Sequence, residues 1–183
     1  MRLHPPAMPE DPAADCDRCA RLVAHRTQLQ RREPDWFNGA VPSFGDRGAW
    51  LAVVGLAPGE RGANRTGRPF TGDHAGHLLY ETLLALGLAR GHYDARVDDG
   101  LTLEGTLITN AVHCLPPANK PAPEEVANCR PFLANLLGAL PRLEVILALG
   151  QVAHASVVRA FGLRLAQAPF AHGAVHALPH GQR

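Results

Sequence analysis

The chain has 183 residues, 46% of them hydrophobic and 19% charged, with a formal net charge of +1. That length and balance suit one globular domain with a real core and exclude a disordered chain. A charge so near zero excludes a global basic field, so a nucleic-acid surface has to be a local patch, and no apolar run is long enough to cross a membrane.

The opening MRLHPPAMPEDPAADC lacks the apolar stretch of a signal peptide. Residues 1–14 read as a flexible tail, and the expected location is cytoplasmic. Cys16 and Cys19 then form a C-x-x-C pair. Residues 51–56, LAVVGL, predict a buried strand running into a Gly-Pro turn. From Gly55 to Asp73 the chain reads GLAPGERGANRTGRPFTGD, a long glycine-rich loop of the kind that is usually functional. Asp73 is placed to cap a helix in which Leu78, Leu79, Leu83 and Leu86 recur at helical spacing, with Gly87 as its stop. Residues 91–104 are polar and irregular.

A second strand is predicted at 106–112, TLITNAV, leading into Cys114 and the proline-rich LPPANKPAP. Residues 123–140 read as helix, with Pro131 expected to end one helix near Cys129 and begin another. EVILAL at 144–149 predicts a third strand, Gly150 opens a helix to about Phe161, and the rest is mostly loop. There is no internal repeat. Alternating strand, loop and helix predict an α/β domain with a parallel sheet, in which ligands bind outside the carboxyl ends of the strands. Gly55, Asn110 and Cys114 fall at such ends.

The glycine-rich loop fits neither standard nucleotide motif. Gly67 is followed by Arg68 and Pro69 rather than Lys and Ser or Thr, and G-x-G-x-x-G is absent. Its glycines and Pro58 nonetheless let backbone approach a ligand closely. Arg61, Arg65 and Arg68 are candidates for phosphates, and Phe70 for stacking on a base. The plainer alternative is a surface loop with solvated arginines and Phe70 in the core. Asn110 has an amide whose donor and acceptor match a pyrimidine edge, although an Asn at a strand end also commonly satisfies nearby backbone.

The four cysteines allow two ligand sets. A zinc ribbon normally brings two C-x-x-C knuckles, and only one is present. Four thiolates can instead hold an iron–sulfur cluster, whose size tolerates the wide spacing of Cys114 and Cys129. Unligated buried cysteines are the third reading.

Several blocks in order resemble the iron–sulfur uracil-DNA glycosylases of family 5, or class B. They are GLAPGERGANRTGRPFTGD, TNAVHCLPPANKPAPEEVANCRPFL, PRLEVILALGQVAH and FAHGAVHAL, covering the chain from about Cys16 onward. The family-4 enzymes share the cysteines and TGRPF but carry an acidic residue where this chain has Leu56, so GLAPG points to family 5. The resemblance implies a three-layer α/β/α fold around a central parallel four-stranded sheet, in a single domain over 1–183.

It also implies a DNA-repair glycosylase that flips uracil, and other deaminated bases, out of DNA and hydrolyses the N-glycosidic bond. A 4Fe–4S cluster would sit on Cys16, Cys19, Cys114 and Cys129. Gly55, Ala57, Phe70 and Asn110 would hold the base, and Arg61, Arg65, Arg68 and Lys120 the DNA. Asp73 is the catalytic candidate, acting through water, with Asn64 a weaker candidate for positioning that water. The expected partner is DNA bound by a monomer in the nucleoid, with no membrane. The family's second motif, a His in an HPS- or HCS-like block, has no counterpart before the end at HALPHGQR. The expectation is therefore either a fragment or a truncated and impaired protein, in both cases lacking the last strand, with His172, His176 and His180 as solvated loop residues. Two rival classes are a DNA-binding iron–sulfur module that does not cut and a small-molecule nucleotide hydrolase. The second lacks the clustered carboxylates of a metal site.

Overall fold

A computed structural model describes residues 8–72 and 74–179. In chain order it contains α1 (Ala20–Arg32), β1 (Phe44–Gly45), β2 (Leu51–Gly55), α2 (Ala63–Thr66), α3 (His74–Ala85), β3 (Ala89–Arg90), β4 (Thr102–Leu103), β5 (Thr106–Asn110), α4 (Pro123–Ala139), β6 (Val145–Ala148) and α5 (Gln151–Ala160). The apolar runs pair in parallel as β5-β2-β6, with Leu51 opposite Thr106 and Gly55 opposite Asn110. Both crossovers leave from β2 or its neighbour, so the chain switches sides at β2 and opens a crevice at the strands' carboxyl ends.

Alternation along the strands splits the core into two layers. Ala52, Val54 and Leu107 pack with Leu133, Leu136 and Leu137 of α4 and Ala153 and Val157 of α5. On the opposite face, Val53 and Ile108 pack with Tyr80 and Leu83 of α3. The result is the expected three-layer α/β/α arrangement. Among the described residues β6 is bonded to β2 alone and leaves Val145 46% and Leu147 45% exposed, the mark of an edge strand. Among the described residues no helix is long and apolar enough to cross a membrane.

Four expectations need correction. The sheet is mixed rather than parallel, because β1 joins β5 antiparallel, Phe44 opposite Ile108. The stretch 91–104 is not wholly irregular: β3 and β4 close it as a small antiparallel pair. Pro131 does not divide a helix, since α4 runs unbroken through it. Proline forfeits one backbone bond there, and burial of Val126 before it and Leu133, Leu136 and Leu137 after it holds both halves in line. Residues 8–14 are not a loose tail. The Asp11 carboxylate accepts from the Ser43 amide at 2.9 Å and hydroxyl at 2.7 Å, and Glu10 receives both Arg47 terminal nitrogens.

Candidate active site and cysteine cavity

β2 and β5 end side by side, which brings Gly55 against Asn110. A methyl group added at Gly55 would lie 2.5 Å from the Asn110 Oδ1 and 2.6 Å from the Phe70 ring. Glycine is thus required by space, and the amide and the ring stand on either side of it. They form one end of a cleft of about 490 Å³, also lined by Leu56, Ala57, Ala75 of α3 and Leu149 beyond β6. That volume suits a small organic ligand, and the lining is mainly apolar with few polar groups. Asn110 is 3% exposed, and its side chain makes no protein hydrogen bond among the described residues. Asp73 lies outside the described residues, as does His180.

Phe70 reaches the cleft from a left-handed backbone, φ +54°, which a bulky residue adopts only when its surroundings impose it. The loop behind it is drawn together by Gly62, where any side chain would run into the Thr71 carbonyl. Tyr80 donates its hydroxyl to the Pro69 carbonyl at 2.7 Å, and Tyr93 to the Phe70 carbonyl at 3.2 Å.

A second locus lies where α1, the segment after β5 and α4 meet. Cys16, Cys19, Cys114 and Cys129 line one small cavity of about 10 Å³, against about 490 Å³ for the cleft. No disulfide joins them. Arg21 forks onto Glu125 at 2.7 and 2.6 Å and fastens α1 to α4. Arg26 holds the Cys16 carbonyl at 2.9 Å. The His113 amide points at the Cys129 Sγ at 3.4 Å, and the Asn128 amide at the Cys19 Sγ at 3.6 Å. Burial pushes the Cys114 thiol up to about 12 and Cys129 up to about 11, and in each case the other cysteines reinforce the shift. Among the described residues no group of His, Cys, Asp or Glu is gathered as for a single metal ion.

Residues 42–183 match the profile of the uracil DNA glycosylase superfamily. A type-5 uracil-DNA glycosylase of Thermus thermophilus is 45% identical, over 91% of this chain and 78% of its own length. One of Pyrobaculum aerophilum is 42% identical, over 88% of this chain and 72% of its own. The chain belongs to the type-5 uracil-DNA glycosylase family. A type-4 enzyme of Archaeoglobus fulgidus is also similar, at 36% identity over 79% of this chain and 61% of its own length. The preference for type 5 read from Leu56 agrees with these matches.

Within this type-5 chain the candidate DNA contacts separate. Arg61 and Arg65 are exposed beside the cleft loop, and Lys120 is exposed after β5. Arg68 has to be removed from that set. It is 2% exposed, its terminal nitrogens fork onto Asp99 at 2.8 and 2.6 Å, and its guanidinium lies about 5 Å from the rings of Phe44, Tyr80 and Tyr93. A buried, paired guanidinium cannot reach a phosphate. Burial by itself would raise the Asp99 carboxyl, but Arg68 and the amides of Asp94 and Leu101 outweigh it and hold it well below the carboxylate range. Asn64 is likewise turned away from water positioning. It is 2% exposed, donates to the Asn38 Oδ1 at 2.9 Å, and does not line the cleft.

Tyr80, Tyr93, Asp99 and His113 were not singled out from the sequence. His113 is buried, with Nδ1 2.7 Å from the Val41 carbonyl, and burial lowers its basicity. The only sequence signal for the Arg68 partners was an arginine set between glycine and proline-phenylalanine, a setting too apolar for a solvated cation.

Proposed function

We propose that this chain hydrolyses the N-glycosidic bond of uracil flipped out of DNA, leaving an abasic site. The observation that carries the reading is the meeting of Gly55, Asn110 and Phe70 at one end of a cleft at the strands' carboxyl ends. A flipped pyrimidine stacks on the Phe70 ring, the Asn110 amide pairs with its edge, and Gly55 leaves room for both. As the bond from the sugar C1′ to the base breaks, its electron pair leaves on the uracil. The cleft's apolar walls strengthen any interaction with that charge, and the first turn of α3, which reaches the cleft at Ala75, favours an anion there. Water adds to C1′ and gives up a proton, a role for which Asp73 is the candidate. Other deaminated bases fit the same chemistry, because Leu56 and Ala57 line the cleft without a polar group to reject them.

The four thiols around one cavity suit a 4Fe–4S cluster, held by Cys16, Cys19, Cys114 and Cys129. When bound, such a cluster supplies a crosslink rather than chemistry on the base. The residues themselves join the segment before α1 to the loop that carries Lys120, which presents a cation to DNA together with Arg61 and Arg65.

The test is single-turnover release of uracil from a labelled duplex, followed by alkaline cleavage at the product. Abasic product at the uracil position supports the reading. Tight binding of the uracil duplex with no abasic product would make the chain a recognition module instead.

A further inference from the structure

Phe70 owes its placement to a loop that never touches the cleft. Tyr93 stands in the segment between β3 and β4 and donates to the Phe70 carbonyl at 3.2 Å. Tyr80, on α3, donates to the adjacent Pro69 carbonyl at 2.7 Å. The two phenol rings stack with centroids 4.5 Å apart and planes 24° from parallel. Arg68 lies against both rings and forks onto Asp99, whose carboxylate also accepts from the Asp94 amide at 2.9 Å and the Leu101 amide at 3.0 Å. One carboxylate therefore folds the loop that carries Tyr93 and anchors the residue two before Phe70. Phe70 itself has a left-handed backbone, φ +54°, which a bulky residue adopts only where its surroundings impose it.

We propose that Tyr93 is a positioning residue, whose hydroxyl sets the attitude of the Phe70 ring toward the flipped base. The inference rests on the glycosylase reading for the ring's role, though not for its placement. The Asp99 loop makes the tie rigid: Tyr93 is stacked, and its neighbour Asp94 is bonded through its amide, so the hydroxyl has a fixed origin. Tyr80, on α3 in the same core layer, does the same for Pro69. The backbone that carries the ring is therefore held by two hydroxyls, one from the segment between β3 and β4 and one from α3.

Tyr93→Phe removes the hydroxyl and keeps the stack. Two measurements test it. The first is the fluorine spectrum of protein carrying 4-fluorophenylalanine at position 70 alone, placed there by site-specific incorporation. Tyr93→Phe is expected to shift and broaden that single line. An unmoved Phe70 line overturns the inference, whatever the activity on uracil. The second is a double-mutant cycle on single-turnover uracil release, with the half-saturating concentration separated from the maximal rate. Tyr93→Phe should slow release roughly tenfold in the parent chain and leave the rate unchanged in a Phe70→Ala background, since coupled residues depart from additivity. Equal losses in both backgrounds would mean that Tyr93 acts only through general stability. If the parent chain itself releases no uracil, the glycosylase reading fails, and the fluorine measurement still decides the placement of Phe70.

Discussion

Gly55→Ala offers the sharpest perturbation of the cleft, because it adds a single carbon at the point where the two base-holding groups meet. That carbon would lie 2.5 Å from the Asn110 Oδ1 and 2.6 and 2.7 Å from two carbons of the Phe70 ring. The strand itself has no freedom to retreat. The Gly55 carbonyl accepts the Ala111 amide at 2.8 Å, and the neighbouring Val54 carbonyl accepts the Leu149 amide at 2.9 Å. Relief must come from the Asn110 amide or the Phe70 ring, by a shift of roughly 1 Å, and misplacement on that scale costs about 100-fold in rate. Overpacking of this kind costs about 1–3 kcal/mol of stability, and in a domain this size each kcal/mol lowers Tm by about 2–4 °C. The expected variant is thus folded, modestly less stable and about 100-fold slower in single-turnover uracil release. A folded Gly55→Ala with an unchanged rate would show that the contact between the glycine, the amide and the ring does not shape the base site.

Other consequences follow from the same geometry. Asn110→Ala should weaken binding of uracil-containing duplex by about 1–3 kcal/mol relative to undamaged duplex, measured by competition anisotropy; equal losses on both would point to misfolding. Asp99→Asn leaves the Arg68 charge buried without its partner and should cost about 3–5 kcal/mol in urea unfolding. Because the Asp99 carboxyl is held below its ordinary range, its contribution is complete above the unfolded value of about 3.9 and is lost as pH falls toward the folded one. The stability gap between the parent chain and Asp99→Asn should therefore be flat near neutrality and close below about pH 4; a gap that widens in acid contradicts the assignment. Cys114→Ser should lower iron and acid-labile sulfide in anaerobically purified protein, and stoichiometric zinc without iron in the parent chain would refute the cluster.

The three parallel strands β2, β5 and β6 were legible because each is a short apolar run ending at or just before glycine or asparagine, a pattern local in sequence. The meeting of Gly55 and Asn110 was legible for the same reason: they close two such runs, and the switch in strand order brings them together. The elements that escaped lack a local signature. β1, β3 and β4 have two residues each and exist only through their partners. α1 is rich in arginine and glutamine and buries only Leu22 and Leu29, so its apolar spacing was faint. The continuity of α4 through Pro131 is decided by what its two halves bury, which proline rules do not contain.

The arginines show where the structure parts from the sequence reading. Arg65 lies in the last turn of α2 and Arg68 follows it by three residues in the glycine-rich segment, and both were read as phosphate contacts. Arg65 stays exposed, while Arg68 turns inward to Asp99. Taking a guanidinium out of water is costly unless a carboxylate meets it in good geometry, and Asp99, in a turn near a second aspartate, gave no sign of being that partner. The energetic logic then runs backward from the structure. A buried pair is weak support for stability when compared with an apolar replacement, so its usefulness lies in fixing a unique arrangement. Here that arrangement is the left-handed backbone at Phe70, two residues along, and the loop bearing Tyr93. The arginine expected to touch DNA acts instead on the ring expected to touch the base. Arg61, Arg65 and Lys120 stay exposed and remain the candidates for DNA in a chain whose net charge is only +1.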